Sequence, residues 1–379
     1  MNPQRLRDKL RDDEYFCTSW DSITSLSQTI GKLHTSSAPS CLQRSVTQRI
    51  SEIRQPHGGY LPIKLFTEYK LADDGLVLKY NSSDDSRRFA SMMGLVVDYV
   101  SRYLFSKDIF KSFDISFLSI VKYLTEPNYT TNSFSENECL SLYNDFKQKL
   151  FSIEQLNIDI DSRNNIDIIK NIFIIVQLDS IYRAGYEAEE LWKKSSSGIK
   201  LIFNKNQEIP DYICNNALTC IRRAISFYKT QKNITFGECF GNGELISTGD
   251  CDFISHDTIW DMKVSSTNIY KNSKVNKWTL QILIYYLMLK HPTHHNFSKY
   301  TSVKNVGIFN PFFNVYYLLD ISKFTNSDYI KEIEEEIIGF NWNLAKGYRF
   351  DDSKMMPIIQ YLLIKDCLNI KIYSRYNKE

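Results

Sequence analysis

From Asp84 to about Trp192, apolar residues recur three and four positions apart: Met92, Leu95, Val96, Tyr99, Val100 and Tyr103, then Ile166, Ile169, Phe173 and Val176. Side chains so spaced share one face of an α-helix, and the pattern predicts helices that bury those stripes. Ser195-Ser-Ser-Gly198 closes the stretch, with Gly198 as its stop. Beyond Gly198 the period changes. Ile209–Tyr228 predicts a helix; Ile234–Phe240, Glu244–Ser247, Cys251–Ile254 and Thr258–Ser265 predict short strands. Lys277–Lys290 predicts an amphipathic helix, and Ser302–Phe309 and Phe313–Leu319 two more strands split by Asn310-Pro311. Helical segments follow near Asp328–Ile338 and Met356–Leu368.

This order predicts an α+β fold, a mixed β-sheet flanked by helices. Ahead of it, residues 1–60 are polar and rich in Ser, Thr and Arg, a helical or loosely ordered lead-in closed by a turn at Pro56-His-Gly-Gly59. Tyr60–Tyr69 and Gly75–Tyr80 predict a short β hairpin around Ala72-Asp-Asp-Gly75, where Asp-Gly supplies turn chemistry. The expected organisation is a mainly helical domain over 1–198 with that hairpin near 60–82, an α+β core over 199–325, and a C-terminal helical extension over 326–379.

Composition changes this picture little. Of 379 residues, 43% are hydrophobic and 24% charged, ordinary values for a folded globular chain. The formal net charge is only +2, so nucleic-acid contact would have to come from a local patch. The start lacks the apolar core of a signal peptide, and the runs Ile172–Leu178 and Leu280–Leu289 are too short for a membrane span, so a cytoplasmic protein without a membrane partner is expected. Cys17, Cys41, Cys139, Cys214, Cys220, Cys239, Cys251 and Cys367 form no zinc-ligand spacing and are expected as free thiols.

The candidate chemistry lies in Gly249–Tyr285. Residues two apart on a strand share a face, so Asp250 and Asp252 are expected on one side of their strand, and Asp261 and Lys263 on one side of the next. A turn between the strands would join the acids. Carboxylates plus a backbone carbonyl, here that of Met262, are the hard oxygen ligands that Mg2+ or Mn2+ prefers. Lys263 can polarise an attacking water and neutralise charge developing on a phosphate. Gln281 and Tyr285, four apart, face one way on a helix, where Gln281 could orient the water or phosphate.

In sequence order, Gly249-x-x-Asp252, Asp261-x-Lys263 and Gln281-x-x-x-Tyr285 resemble the signature of the RecB-like branch of the PD-(D/E)xK nuclease superfamily. The resemblance covers roughly Ile209–Leu319 and implies a restriction-endonuclease-like core and metal-dependent hydrolysis of DNA. It implies catalytic roles for Asp252, Asp261, Lys263, Gln281 and Tyr285, and metal ligation by Asp252, Asp261 and the Met262 carbonyl, with Asp250 as an additional candidate. Asp-x-Lys or Glu-x-Lys also occurs at Glu68-Tyr-Lys70, Asp145-Phe-Lys147 and Asp352-Ser-Lys354, but without that strand before and helix after.

The sequence departs from the family in two ways. Only Cys367 lies downstream of the motif, so no iron–sulfur cluster is expected. The Ile209–Tyr228 helix carries only Asp211 near its start as an upstream acid, and Glu187, Glu189 and Glu190 read as a solvated face. Lys271, Lys274 and Lys277, with Tyr270 and Trp278 interleaved, form a basic loop suited to phosphate contact and base stacking. His291, His294 and His295 are expected to complement the C-terminal end of the preceding helix through its last carbonyls. An activating protein partner, and a part in phage defence or mobile-element conflict, enter by analogy only.

Overall fold

A computed structural model describes residues 3–29, 43–125, 135–179 and 209–340. The expected helix end at Ser195–Gly198, the acids Glu187, Glu189 and Glu190, and the segment Met356–Leu368 lie outside the described residues. The described residues separate into two compact units, one drawn from 1–33, 76–228 and 264–266, the other from 34–75, 229–263 and 267–379. No helix among them is long and apolar enough to cross a membrane.

In the first unit the described secondary structure is helical, over Pro3–Lys9, Glu14–Thr29, Ser83–Ser106, Ile109–Ser112, Asp114–Thr125, Glu136–Phe151, Arg163–Val176 and Asp211–Thr230 as far as Tyr228. Local chemistry starts these helices where the sequence allows. Ser82 caps the 83–106 helix by accepting from the Asp85 amide, and Ser135 with Glu138 forms a capping box for the 136–151 helix. The 83–106 helix is rotated from the expected stripe: Phe89, Met93, Val96, Val97, Tyr99 and Val100 are buried, while Met92, Leu95 and Tyr103 are half-buried. Asp98 and Arg102 are buried in the same helix and satisfy each other across one turn at 2.7 Å.

All nine described strands belong to the second unit. They are β1 (Arg44–Ser45), β2 (Thr67–Lys70), β3 (Thr235–Phe236), β4 (Cys239–Phe240), β5 (Ile246–Asp250), β6 (Phe253–Ile254), β7 (Thr258–Met262), β8 (Asn305–Asn310) and β9 (Val315–Asp320). A six-stranded sheet runs β2-β9-β8-β7-β6-β3, and a three-stranded sheet runs β1-β5-β4. β7 and β8 are parallel while the other pairs of the large sheet are antiparallel, so the sheet is mixed as expected. The parallel pair needs a crossover, which the helix Val275–Lys290 supplies. β7 and β8 are buried at every residue, whereas β9 alternates buried and half-buried. Leu280, Leu283 and Ile284 of the crossover helix join Ile254, Ile259, Val306 and Ile308 of the sheet in one apolar core.

The stretch 60–82 does not fold back on itself. β2 pairs antiparallel with β9, Tyr69 opposite Tyr316, while 75–80 forms no strand and Val77 is 90% exposed. The expected turn chemistry is present, since Gly75 has φ of 71° and its amide donates to Asp73. What overrides the hairpin is the better partner: β9 offers a six-residue edge, and Tyr69 stacks on Tyr316 with ring centroids 4.9 Å apart. A second departure lies in the lead-in, where β1 pairs in parallel with β5 and runs into the helix Val46–Glu52, opened by a Ser45–Gln48 capping box.

Candidate active site

The β6–β7 hairpin places the acids. Ser255, His256 and Asp257 turn the chain, the Ser255 amide donates to the Thr258 carbonyl at 2.9 Å, and the register pairs Phe253 with Trp260 and Ile254 with Ile259. One step further along that register, Asp252 stands opposite Asp261. Asp252 sits at a bend between β5 and β6, so it does not share a strand with Asp250, the last residue of β5. Its carboxylate accepts from the Met262 amide, which fixes Asp252 to the middle of the Asp261–Lys263 segment. Lys263 lies one residue past β7, but its amide still donates to the Phe309 carbonyl at 2.8 Å, so the strand's alternation carries Asp261 and Lys263 to the same face.

The helix Val275–Lys290 brings the remaining pair. Lys263 Nζ donates to Asp261 Oδ1 at 2.9 Å and to Gln281 Oε1 at 3.0 Å, and Gln281 Nε2 donates to the Tyr285 hydroxyl at 3.0 Å. Asp261, Lys263, Gln281 and Tyr285 are thus joined in one chain of hydrogen bonds. Tyr285 is buried and stacks on Phe240 of β4 at 5.0 Å. Its approach to β5 requires a glycine. A Cβ on Gly249 would lie 2.5 Å from Val46 Cγ2 and 3.3 Å from Tyr285 Cε1. Neither Val46 nor Phe240 could be tied to the motif by spacing, because both reach it through tertiary packing.

The electrostatics of this cluster are unbalanced. Asp261 is 2% exposed, and both its oxygens lie 2.9 Å from Lys263 Nζ. Only Oδ1 has hydrogen-bond geometry, leaving Oδ2 buried without a hydrogen-bond partner. Burial pushes the Asp261 carboxyl up, to about 7; Lys263 opposes the shift, and the negative charges of Asp252 and Asp250 add to it. The Tyr285 hydroxyl is likewise held well above its ordinary value by burial and by Asp250, Asp261 and Asp252, so it keeps its proton at neutral pH. A buried carboxylate oxygen that accepts no hydrogen bond, beside two further acids, fits the hard oxygen set a small divalent cation takes.

Lys271, Lys274 and Lys277 are exposed around the entry to the crossover helix, Lys274 being its N-cap. The first turn of that helix carries no acid. Its amide dipoles and the lysines therefore add to a local positive field. Tyr270 beside them is 49% exposed and stands edge-on to Tyr317 at 5.7 Å, while Trp278 is half-buried.

The other sequence features resolve differently. Glu68 and Lys70 lie on the β2 edge, and Asp145 pairs with Lys149 rather than with Lys147. Among the described residues, Cys17, Cys139, Cys214, Cys220, Cys239 and Cys251 form no disulfide with one another. His291 caps its helix through its backbone amide, donating to Met288, but His294 does not serve the helix end. It turns toward β4, with Nε2 3.3 Å from the Cys239 carbonyl. No protein-family model, no curated protein and no solved structure matches the chain.

Proposed function

We propose that this chain is a Mg2+- or Mn2+-dependent nuclease of the PD-(D/E)xK type, RecB-like branch, which hydrolyses phosphodiester bonds of DNA. One observation carries the reading: Asp261 is buried, its Oδ2 accepts no hydrogen bond and has only the ion pair with Lys263, and Asp250 and Asp252 press on it with like charge. Asp252, Asp261 and the Met262 carbonyl, with Asp250 as an additional ligand, are the residues that hold the ion. When bound, such an ion polarises a phosphoryl oxygen and acidifies a water. Lys263, tethered by Asp261 and Gln281, offers its charge to the phosphate as negative charge accumulates there. Gln281 fixes the direction of Lys263, and protonated Tyr285 fixes Gln281. Lys271, Lys274 and Lys277 hold the DNA backbone. The helical unit selects a target or an activating protein partner, and a part in phage defence or mobile-element conflict is a proposal by analogy of architecture alone.

The test is to incubate the purified chain with linear, nicked and single-stranded DNA in Mg2+, Mn2+ or EDTA, beside Lys263→Ala and Asp261→Ala. Cutting is expected only with metal, and each variant should lose about 10³-fold in rate. Metal-dependent cutting that persists in both variants would sink the assignment. Absence of cutting under every condition would favour a catalytically inactive scaffold that binds nucleic acid or protein.

A further inference from the structure

A second cluster of ligating side chains lies in the same unit and takes no part in the nuclease proposal. Glu238 is in the turn between β3 and β4, while His294 and His295 follow the crossover helix. Glu238 Oε1 is 3.4 Å from His295 Nε2 and 3.7 Å from His294 Nε2, and the three residues each offer a ligand atom within 4.8 Å of the others. We propose that Glu238, His294 and His295 form a zinc site of three protein ligands, with solvent in the fourth position.

Three features favour this. In a tetrahedral site with bonds of about 2.05 Å, neighbouring ligand atoms are about 3.3 Å apart, close to the two separations from Glu238. Glu238 is buried and held from both sides: Asn296 Nδ2 donates to Oε1 at 2.7 Å, and the Tyr300 hydroxyl donates to Oε2 at 2.5 Å. Partners of this kind orient a ligating carboxylate. The His295 side chain is 64% exposed while His294 is buried, which leaves one side of the cluster to water. Two imidazoles and one carboxylate suit Zn2+ far better than Mg2+, which prefers an all-oxygen shell.

The site also has a cost. The Asn296 amide lies 3.2 Å from His294 Nδ1, so Nδ1 accepts and the ring proton sits on Nε2, toward the Cys239 carbonyl. Ligation through Nε2 moves that proton to Nδ1 and gives up two long neutral hydrogen bonds, which a metal–imidazole bond outweighs. The gain falls on the strands that carry the acids. The Glu238 carbonyl accepts from the Cys251 amide at 3.1 Å, and Cys239 is the register partner of Asp250. Zinc would pin the 291–300 segment to those strands.

Zinc titration of the metal-free full chain in excess Mg2+, against a chromophoric chelator, tests the proposal, with Co2+ as a spectroscopic substitute. The expected result is one Zn2+ per chain that Mg2+ does not displace, and visible Co2+ bands of a four-coordinate centre. His295→Ala, at an exposed position, should lose about 100-fold or more in Zn2+ affinity, at or beyond the range caused by losing an orienting partner. Asp261→Asn should leave it unchanged. The proposal is overturned if wild type binds no Zn2+ at micromolar concentrations, if His295→Ala binds as tightly as wild type, or if Asp261→Asn abolishes binding. DNA cutting is not the readout, so this outcome is independent of the nuclease assay.

Discussion

Asp13 in the helical unit and Asp261 in the sheet unit are both largely enclosed aspartates touching a lysine, yet their carboxyls move in opposite directions. Burial raises both. At Asp13 it is outweighed by hydrogen bonds from Lys147, at 2.5 Å, from the Phe16 amide at 2.9 Å and from Tyr143 at 3.0 Å, and by the Lys147 charge, so the group falls below its ordinary value. At Asp261 the hydrogen bond and charge of Lys263 are outweighed by burial and by Asp252 and Asp250. A carboxylate supplied with donors at both oxygens is a structural anchor. One placed among like charges, with an oxygen that accepts no hydrogen bond, is the arrangement that the proposed cation would relieve.

Changing each acid to its neutral isostere should separate the two roles. The largest effect is expected for Asp261→Asn in the cutting assay, a loss of about 10³-fold, equivalent to roughly 4 kcal/mol in the barrier. The same variant, free of metal at pH 8, should melt no lower than wild type, because it removes a charge that burial disfavours. A lower melting temperature would mean that Asp261 is an anchor after all. Asp13→Asn should behave in the opposite sense, destabilising the helical unit by about 2 kcal/mol through lost charge-assisted hydrogen bonds. Hydrogen exchange along Glu14–Thr29 and Glu136–Phe151 would register this, and unchanged protection there would remove Asp13 from its structural role.

The two groups also predict opposite pH responses. The folded chain holds the Asp261 proton more tightly than the unfolded chain, with values of about 7 against 3.8. Its contribution to metal-free stability is therefore complete below the lower value and is lost as pH rises through that window. Asp13, shifted downward, contributes above its unfolded value of 3.8 and loses that contribution as pH falls through its folded value. Metal ligation needs the ionised form of Asp261, so apparent Mg2+ affinity should climb by up to about tenfold per pH unit below 7 and then level off. Thermal shifts with and without Mg2+ from pH 5.5 to 8 measure this; a Mg2+ shift independent of pH would contradict it.

The parts of this site legible in the sequence are those set by local periodicity. A strand's period of two put Asp261 beside Lys263, and a helix's spacing of four put Gln281 beside Tyr285, where the hydrogen bonds follow that order. Tertiary choices were not legible. Nothing near Gly249 announces that Val46, some two hundred positions earlier, fills the space a side chain would occupy. Glu238 meets His294 and His295 only because β4 lies against the end of the crossover helix, so no ligand spacing exists to be read. The 60–82 hairpin failed for the same reason, its turn being real and its partner strand lying elsewhere. On the 83–106 helix the apolar residues outnumber the buried face, so spacing alone left its rotation open.

The smallest expected effects concern one tyrosine hydroxyl in each unit. Tyr143 donates to Asp13, whereas Tyr285 accepts from Gln281 within the acid cluster. Tyr143→Phe leaves a charged acceptor with one donor fewer and should cost the helical unit about 1 kcal/mol without altering DNA cutting. Tyr285→Phe keeps the stacking on Phe240 and removes only the group that holds the Gln281 amide, so stability should change little. Lys263 then loses the fixed direction Gln281 gives it, and the cutting rate should fall several-fold, at most about tenfold, because the lysine's charge remains. Full activity in Tyr285→Phe together with lost stability would make that hydroxyl part of the core, and the hydrogen-bond chain from Asp261 would end at Gln281.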